Sequence, residues 1–396
     1  MRLAATVQAG HTLSLLEGTK DWFPALIREL DKAQAQVQIE TYILDMTGAG
    51  EAVVQALERT ALRGVRVWLL VDGAGTGELP PQWRERLDRA GVVWRVFAPF
   101  GTWGWFVPSR WRRLHRKLCV VDGEVAFCGG INVLDDFYEG HEKATLRQPR
   151  LDFAVRLKGP LVGDVRYTMR QLWWRIQAVR DWRDSKLSAA VDALKEVAAD
   201  RQRLTKGRWR LVLRDNLRHR TRIERHYLHA LGRARIEVWI ANAYFYPGAR
   251  LRRALLAAAQ RGVRVTILVQ GHYDHVVPYR AARHLYGPLL AAGVSIHEYH
   301  ASFMHAKVAV IDAQWVTVGS SNLDPLSLLL AREANVVARD PDLARLLKLR
   351  LAQVLKEGAH QIQADDHAHR GWLESALDAI SAGLLRLAIF ISGKRY

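Results

Sequence analysis

Two short segments of the chain carry the same three chemically active residues at the same spacing. The two sets are His115, Lys117 and Asp122, and His305, Lys307 and Asp312. One neutral imidazole can attack phosphorus and form a phosphohistidine, while a protonated imidazole opposite gives a proton to the departing alcohol. Two lysines can neutralise the nonbridging phosphate oxygens without a metal. The paired His-x-Lys-x4-Asp motifs therefore predict phosphodiester transfer with no metal and no cofactor.

A loop of small and amide residues follows each motif. It reads Gly-Gly-Ile-Asn at 129–132 and Gly-Ser-Ser-Asn at 319–322. Small residues let backbone N–H groups approach an anionic oxygen closely. We expect phosphate contacts from Asn132, Ser320 and Asn322. The two phosphate cradles are expected to be unequal, because Gly130 stands where the second loop has Ser320.

Each imidazole also needs an acceptor on its other ring nitrogen to fix the tautomer. Asp152 and Glu333 lie in matching apolar segments downstream of the two motifs. They are the candidates for orienting the histidines. An ordinary surface acid on a strand is the alternative interpretation at each position.

The elements around the motifs repeat as well. Arg-Gly-Val-Arg-Val occurs at 63–67 and again at 261–265, each time after a helical pattern and before an apolar strand. Each half reads as helix, strand, helix, strand, helix, strand and motif, and each motif reads as a β-hairpin closed by a tight turn. Apolar strands that alternate with helices favour a mostly parallel central sheet flanked by helices. The sequence predicts an α/β fold of two similar halves.

Composition limits the other options. With 396 residues, 49% of them apolar, the chain can bury a sizeable core. Its 58 Lys and Arg against 40 Asp and Glu give a net charge of +18, which indicates a polyanionic partner such as nucleic acid or an anionic membrane. Cys119 and Cys128 lie in apolar runs, which argues against a disulfide framework. The first ten residues are too weakly apolar for a signal peptide or a membrane span, so we expect a cytosolic chain.

Four segments are expected along the chain. An N-terminal half at 1–160 holds the first motif, and a C-terminal half at 231–358 holds the second. A helical basic connector at 161–230 lies between them, and its tryptophans either pack on the core or face lipid. Residues 359–396 form an amphipathic helical segment near the membrane.

Two segments have the composition of a membrane contact. Aromatic residues and arginines occur together in an insertion before the first motif, which suits the headgroup boundary of an anionic bilayer. The aromatic residues are Trp103, Trp105, Phe106 and Trp111. Near the C-terminus, apolar residues recur on one helix face, which either lies in the interface or packs on the body. These residues are Leu373, Leu377, Ile380, Leu384, Leu387 and Ile391.

The motifs resemble those of the phospholipase D superfamily, whose mark is a paired His-Lys-Asp motif followed by a Gly/Ser-Asn loop. Over nearly the whole chain the likeness is to bacterial cardiolipin synthases of the shorter type, without N-terminal membrane helices. It rests on the segments 40–43, 71–73, 114–117, 129–132 and 319–324. The resemblance implies two pseudo-twofold α/β halves that share one active site at their interface. It implies a peripheral or monotopic enzyme on the cytoplasmic face of the bacterial cell membrane.

The resemblance also implies a reaction and residue roles. A phosphatidyl group passes from one phosphatidylglycerol to another, which yields cardiolipin and free glycerol. His115 is the nucleophile and His305 the general acid and then base, although the near-symmetry of the site permits the reverse. The two motif lysines and the asparagines Asn132 and Asn322 bind phosphoryl oxygens. The motif aspartates are interpreted as supports of the motif and not as reacting groups.

Other functions remain open at the sequence level. A hydrolase of the same superfamily would release phosphatidic acid, and a nuclease would use the basic surface and aromatic residues for nucleic acid. A lipid-binding protein with a decayed site is a further alternative. The aromatic insertion and the apolar C-terminus favour anionic phospholipid over nucleic acid as the partner.

Overall fold

The structure of the protein, a computed structural model, describes residues 5–8, 10–99, 101, 111–139, 144–199, 207–215, 219–272, 276–324 and 331–391. The chain forms two compact units. Unit 1 contains Met1–Asp135 and Ala154–Leu211, and unit 2 contains Asp136–Phe153 and Val212–Tyr396. The helical segment expected as a connector is therefore divided between the units, and the residues just before Ala154 belong to unit 2.

The helices and strands alternate through both units. The helices are α1 (Gly18–Lys32), α2 (Ala49–Leu62), α3 (Pro81–Ala90), α4 (Leu161–Arg183), α5 (Leu187–Ala199), α6 (Arg222–Arg233), α7 (Ala249–Gln260), α8 (Val276–Arg283), α9 (Tyr286–Ala291), α10 (Pro341–Gly358), α11 (Ala364–Ala368) and α12 (Trp372–Ile391). The strands are β1 (Ala5–Gln8), β2 (His11–Glu17), β3 (Gln36–Thr41), β4 (Arg66–Asp72), β5 (Val93–Phe97), β6 (Arg113–Leu114), β7 (Lys117–Val121), β8 (Val125–Gly129), β9 (Tyr138–Glu139), β10 (Ala144–Thr145), β11 (Phe153–Lys158), β12 (Trp209–Arg214), β13 (Glu237–Asn242), β14 (Arg264–Gln270), β15 (Ser295–Tyr299), β16 (Lys307–Ile311), β17 (Trp315–Gly319), β18 (Ala331–Arg339) and β19 (Ala359–Gln361).

Each unit is built on one large sheet. The first sheet has the strand order β1-β2-β11-β8-β7-β3-β4-β5, and the second has the order β12-β18-β17-β16-β13-β14-β15-β19. The expected succession of helices and strands before each motif is confirmed. The expectation of mostly parallel sheets is wrong in detail. The pairs within β3-β4-β5 and β13-β14-β15 are parallel, whereas each motif hairpin and the strand after it add antiparallel pairs.

Apolar side chains on the strands make the two cores. In unit 1, Val37, Ile39 and Leu69 of the parallel strands pack with the buried faces of the helices before and after them, such as Leu26 of α1 and Leu57 of α2. In unit 2, the corresponding parallel strands pack against α6 and α7 in the same way. Burial on this scale is the main favourable contribution to folding. It fixes the parallel strands on which each motif hairpin is built.

Tight turns close both hairpins as expected. Asp122 and Gly123 have φ angles of 51° and 72°, and Asp312 and Ala313 have φ angles of 52° and 49°. Two consecutive residues with positive φ give a type I′ turn, whose twist matches that of the flanking strands. The second turn has Ala313 in the left-handed region, and this conformation is higher in free energy for alanine than for Gly123 of the first turn.

The tryptophans of α4 divide between core and surface. Trp173 is buried and stacks on Trp68 of β4 with ring centroids 5.1 Å apart. The guanidinium of Arg95 lies 3.8 Å from the ring centroid of Trp173. Trp182, by contrast, is 72% exposed near the end of the helix. The expected packing of these tryptophans on the core is confirmed for Trp173, which is buried. Trp174 is half-buried.

The C-terminal helix α12 packs on α8 through a narrow face. Ala382 and Leu385 are buried there, and the buried carboxylate of Asp378 lies 3.3 Å from Arg280 and 2.6 Å from Arg370. The apolar stripe expected from the sequence lies on the opposite, exposed face. Its described residues and their exposed fractions are Leu373 (57%), Leu377 (39%), Ile380 (58%), Leu384 (54%) and Leu387 (54%). Among the described helices, α12 included, none is both long and apolar enough to cross a membrane.

Candidate active site

Each motif begins just before its strand. His115 and His305 lie in two-residue irregular stretches that precede β7 and β16, not inside the strands as expected. Each imidazole is half-buried. The motif lysine is the first residue of the strand, and its Nζ donates to the carbonyl oxygen of the motif histidine, at 2.9 Å in the first motif. The lysine therefore also fixes the backbone that carries the histidine.

The two motif lysines are deeply buried. Lys117 is 4% exposed and Lys307 is 0% exposed. Burial lowers the pKa of Lys307 to about 8, although Asp152 and Glu333 partly offset this by raising it. A cationic group in so dry a place interacts strongly with an anion brought next to it. Both lysines therefore have the burial expected of phosphate ligands.

The motif aspartates bind backbone at the other end of the hairpin. Asp122 accepts hydrogen bonds of 2.8–2.9 Å from the N–H groups of residues 34, 35 and 36. Asp312 accepts bonds of the same length from residues 235, 236 and 237. Burial alone would raise the pKa of Asp122, but the three N–H donors outweigh it and lower the pKa. Each carboxylate thus connects the hairpin turn to the start of the adjacent strand, which is β3 in unit 1 and β13 in unit 2.

A carboxylate orients the second motif histidine. Asp152, which is 2% exposed, has Oδ2 at 2.7 Å from Nδ1 of His305. The contact exists because the backbone around Leu151 pairs with the motif backbone: the N–H of Leu151 donates to Phe303, and that of His305 donates back to Leu151. Oδ1 of Asp152 accepts from the backbone N–H of Phe153 at 2.7 Å. This bond fixes the ring through Nδ1, with Nε2 on the other side of the imidazole.

Glu333, the acid expected to match Asp152, has a different partner within unit 2. Glu333 is 0% exposed, and its Oε2 accepts a short hydrogen bond from the hydroxyl of Ser320. The hydroxyl oxygen accepts in turn from the N–H of Ala334 at 3.1 Å. Ser320, expected to touch phosphate, therefore has its hydroxyl engaged with Glu333. A direct phosphate contact from Ser320 stays a prediction.

The exit-loop asparagines are buried beside the motif strands. Asn132 is 7% exposed, and its Oδ1 accepts from the N–H of Ile43 at 3.2 Å. Asn322 is 4% exposed. With its oxygen on the backbone, the amide of Asn132 has its NH2 group as the donor that remains for an anion.

Sequence reasoning missed residues that hold the segment before each histidine. Asp72, at the end of β4, accepts from the N–H of Leu114 at 2.6 Å, and Gln270, at the end of β14, accepts from the N–H of Met304 at 3.0 Å. Burial raises the pKa of Asp72 in spite of these bonds. Their matching positions in the sequence could have identified them, because each is the last residue of the strand that begins in the repeated Arg-Gly-Val-Arg-Val segment.

Tyr42 is a further residue that sequence reasoning did not single out. Its ring lies edge-on to His115, with centroids 4.8 Å apart, and 5.2 Å from Nζ of Lys117. An aromatic wall at this position limits how the imidazole can turn.

Of the four aromatic residues expected to contact the membrane before the first motif, only Trp111 is described. Trp103, Trp105 and Phe106 lie outside the described residues, and Trp111 is half-buried. Within the described ranges, no group of three or more His, Cys, Asp or Glu side chains is arranged to hold a metal ion.

Comparison with known proteins places this site in a family. The family model described as cardiolipin synthase, PLD-like domain matches residues 26–142 and 227–355, which contain both motifs. The chain belongs to this cardiolipin synthase family of phospholipase D-like proteins. It is 36% identical to cardiolipin synthase B of Escherichia coli K12 over 378 residues, which are 95% of this chain and 88% of that protein.

Two more distant proteins agree with the family and the fold. Cardiolipin synthase A of Pseudomonas putida is 30% identical over 363 residues, 90% of this chain and 71% of that protein. The crystal structure of phosphatidylserine synthase from Haemophilus influenzae Rd KW20 matches with a TM-score of 0.69 and 12% identity. The match covers 98% of this chain and 96% of that one, and it supports the fold.

Proposed function

We propose that the protein is a phosphatidyltransferase that makes cardiolipin and glycerol from two molecules of phosphatidylglycerol. The observation that carries the proposal is the pair of His-x-Lys-x4-Asp motifs with matched internal geometry. In each motif, the lysine donates a hydrogen bond to the histidine carbonyl, and the aspartate accepts hydrogen bonds from three backbone N–H groups. The 36% identity to cardiolipin synthase B over most of both chains supports the lipid substrate.

In the proposed first step, the imidazole of His115 attacks the phosphorus of one phosphatidylglycerol. The bond between phosphorus and the headgroup glycerol oxygen breaks as the P–N bond forms. His305, protonated on Nε2, gives that proton to the leaving oxygen. Asp152 stabilises the imidazolium of His305 through Nδ1. Free glycerol and a phosphatidyl-histidine result.

In the proposed second step, a hydroxyl of another phosphatidylglycerol attacks the intermediate. Neutral His305 takes the proton of that hydroxyl, the new P–O bond forms, and the P–N bond to His115 breaks. Cardiolipin leaves, and both histidines return to their starting states.

The buried lysines and asparagines stabilise charge in both steps. The ammonium groups of Lys117 and Lys307 and the amide of Asn132 offer donors to the nonbridging oxygens, where negative charge grows as phosphorus is attacked. We propose the same role for Asn322. Asp122 and Asp312 act as positioning residues at the far end of each hairpin.

The exposed face of α12 is proposed as a membrane contact of this enzyme. Its apolar side chains project from a helix whose other face is already packed on α8. Lipid substrate must be reached in a bilayer, and an apolar helix face on a cationic protein suits an anionic surface. We propose a peripheral position on the cytoplasmic side of the membrane.

The test is incubation of purified protein with phosphatidylglycerol vesicles, followed by mass spectrometry of the products. The proposal expects cardiolipin and glycerol in equal amounts, and neither with His115→Ala or His305→Ala. Phosphatidic acid without cardiolipin would identify the protein as a hydrolase and overturn the proposal. Full activity of either histidine variant would overturn the two-histidine mechanism.

A further inference from the structure

A cavity of about 220 Å³ lies in unit 1 at the end of the motif hairpin that is remote from His115. Its cationic wall is formed by Arg66 of β4 and by Arg166 and Arg170 of α4. Its polar floor is formed by Gln36 and Gln38 of β3. The proposed mechanism uses none of these side chains.

Three buried amide atoms of the glutamines in this cavity make no hydrogen bond with the described part of the chain. Gln38 is only 4% exposed, and neither Nε2 nor Oε1 makes a hydrogen bond with the described residues. Nε2 of Gln36 is buried without a hydrogen bond in the same way. A buried amide left without a hydrogen bond destabilises the folded state. The cavity therefore offers donors that a bound ligand can satisfy.

Two of the three cavity arginines have no ion pair with the described residues. No carboxylate of the described residues lies within 4.0 Å of the guanidinium of Arg66 or Arg166, whereas Arg170 pairs with Glu196 at 3.1 Å. Asp122 also lines the cavity, but its carboxylate already accepts three backbone N–H groups. The cavity thus combines amide donors with two guanidinium groups, those of Arg66 and Arg166, that have no ion pair with the described residues.

Unit 2 contains a carboxylate at the corresponding position. By strand register, Glu237 matches Gln36, and Arg264 matches Arg66. The buried carboxylate of Glu237 lies 3.6 Å from Arg264, contacts Lys348 of α10, and accepts from Nε1 of Trp239 at 3.2 Å. The cations of unit 2 are therefore neutralised internally. In unit 1 the neutral Gln36 replaces that carboxylate while the cations remain.

We propose that the unit 1 cavity is a binding site for a small phosphate-bearing anion, held between Arg66, Arg166 and the amides of Gln36 and Gln38. The anion takes the place that the carboxylate of Glu237 fills in unit 2. A cavity of this volume is below the roughly 300–1,000 Å³ of sites for drug-sized ligands. It fits a phosphate group with a short polar substituent. This site is separate from the catalytic histidines and does not rest on the proposed function.

The phosphate group has two possible sources, a soluble phosphate ester or the headgroup of an anionic lipid. Calorimetric titration with inorganic phosphate and with sn-glycerol 3-phosphate tests the first. Flotation with phosphatidylglycerol vesicles against phosphatidylcholine vesicles tests the second. Because the catalytic site also binds phosphate, the measured quantity is the difference between wild type and cavity variants.

Two cavity variants and one control make the test specific. Gln36→Glu installs the carboxylate that unit 2 already tolerates at Glu237, and Arg166→Gln removes a cation from an exposed position. Gln82→Glu, on the exposed side of α3, makes the same charge change away from the cavity. In the absence of phosphate, Gln36→Glu is expected to raise the melting temperature, because the new carboxylate pairs with Arg66 and Arg166.

The expected result is one phosphate fewer bound per chain, or anionic-vesicle binding about tenfold weaker or more, in both cavity variants. Gln82→Glu should bind like wild type. Loss with soluble phosphate identifies a soluble ester, and loss with vesicles alone identifies a lipid headgroup. Unchanged stoichiometry and unchanged vesicle binding in both cavity variants would overturn the proposal and assign the cavity to water.

Discussion

Replacing Asp152 with asparagine should disable His305 while leaving the fold intact. Oδ1 of Asp152 is held by the N–H of Phe153, so an asparagine at this position keeps its carbonyl oxygen there. The amide NH2 then occupies the place of Oδ2, at 2.7 Å from Nδ1 of His305. An NH2 group can only donate, so Nδ1 must accept. Neutral His305 must then carry its proton on Nε2. In the imidazolium, the N–H at Nδ1 would point at the NH2 group of the new asparagine, and two donors would face each other.

The size of the effect follows from this loss of the imidazolium. A histidine that cannot become an imidazolium is a poor general acid for the leaving glycerol oxygen, and in its wrong tautomer it is a poor base for the incoming hydroxyl. We expect the rate of cardiolipin formation to fall by about 10²–10⁴-fold, the usual contribution of a positioned general acid or base. The volume of the side chain is unchanged, so stability should change little.

The assay is the initial rate of cardiolipin and glycerol formation from phosphatidylglycerol vesicles, measured across pH. Asp366→Asn, the same change at an exposed position of α11, is the matched control and should retain the wild-type rate. Vesicle binding and the melting temperature should match wild type in both variants. An Asp152→Asn rate within about threefold of wild type would refute the proposed role of the Asp152–His305 pair.

Three further predictions follow from burial and hydrogen bonding. Because burial lowers the pKa of Lys307 to about 8, kcat/KM should fall as the pH rises through that value, and Lys307→Arg should move this limb to higher pH even if the maximum rate drops. Asp122→Asn should lower the free energy of unfolding by about 1–3 kcal/mol. Since the folded pKa is depressed, this difference should be present above pH about 4 and vanish as the pH falls through the folded value, as followed by denaturant titration. Changing Leu377, Ile380 and Leu384 to serine together should weaken flotation with anionic vesicles about tenfold or more, whereas Leu349→Ser, 57% exposed on α10, should not.

Repetition explains why so much of the fold could be predicted from the sequence. The duplicated Arg-Gly-Val-Arg-Val strands and the two motifs gave the helix and strand succession, the hairpins and their turns, because these depend on local periodicity and turn chemistry. The antiparallel content of the sheets was underestimated, since hairpin strands carry the same apolar pattern as parallel ones.

The partners of the site residues were harder to predict. The pairing of Asp152 with His305 joins residues 153 positions apart, and it depends on how the backbone near Leu151 pairs with the second motif. The engagement of Ser320 by Glu333 depends on β17–β18 register in the same way. The sequence also did not predict that the apolar stripe of α12 is exposed. Periodicity identifies an apolar face of a helix but does not show which face packs against the rest of the protein.

The most direct test of the proposed mechanism is a rapid-quench search for the covalent intermediate. Wild type is mixed with phosphatidylglycerol vesicles, quenched in alkaline denaturant, in which a phosphohistidine survives, and mapped by peptide mass spectrometry. The proposal predicts a phosphatidyl adduct on His115 that appears before cardiolipin and is absent from His115→Ala. Cardiolipin formation with no adduct, or with the adduct on any other residue, His305 included, would contradict it.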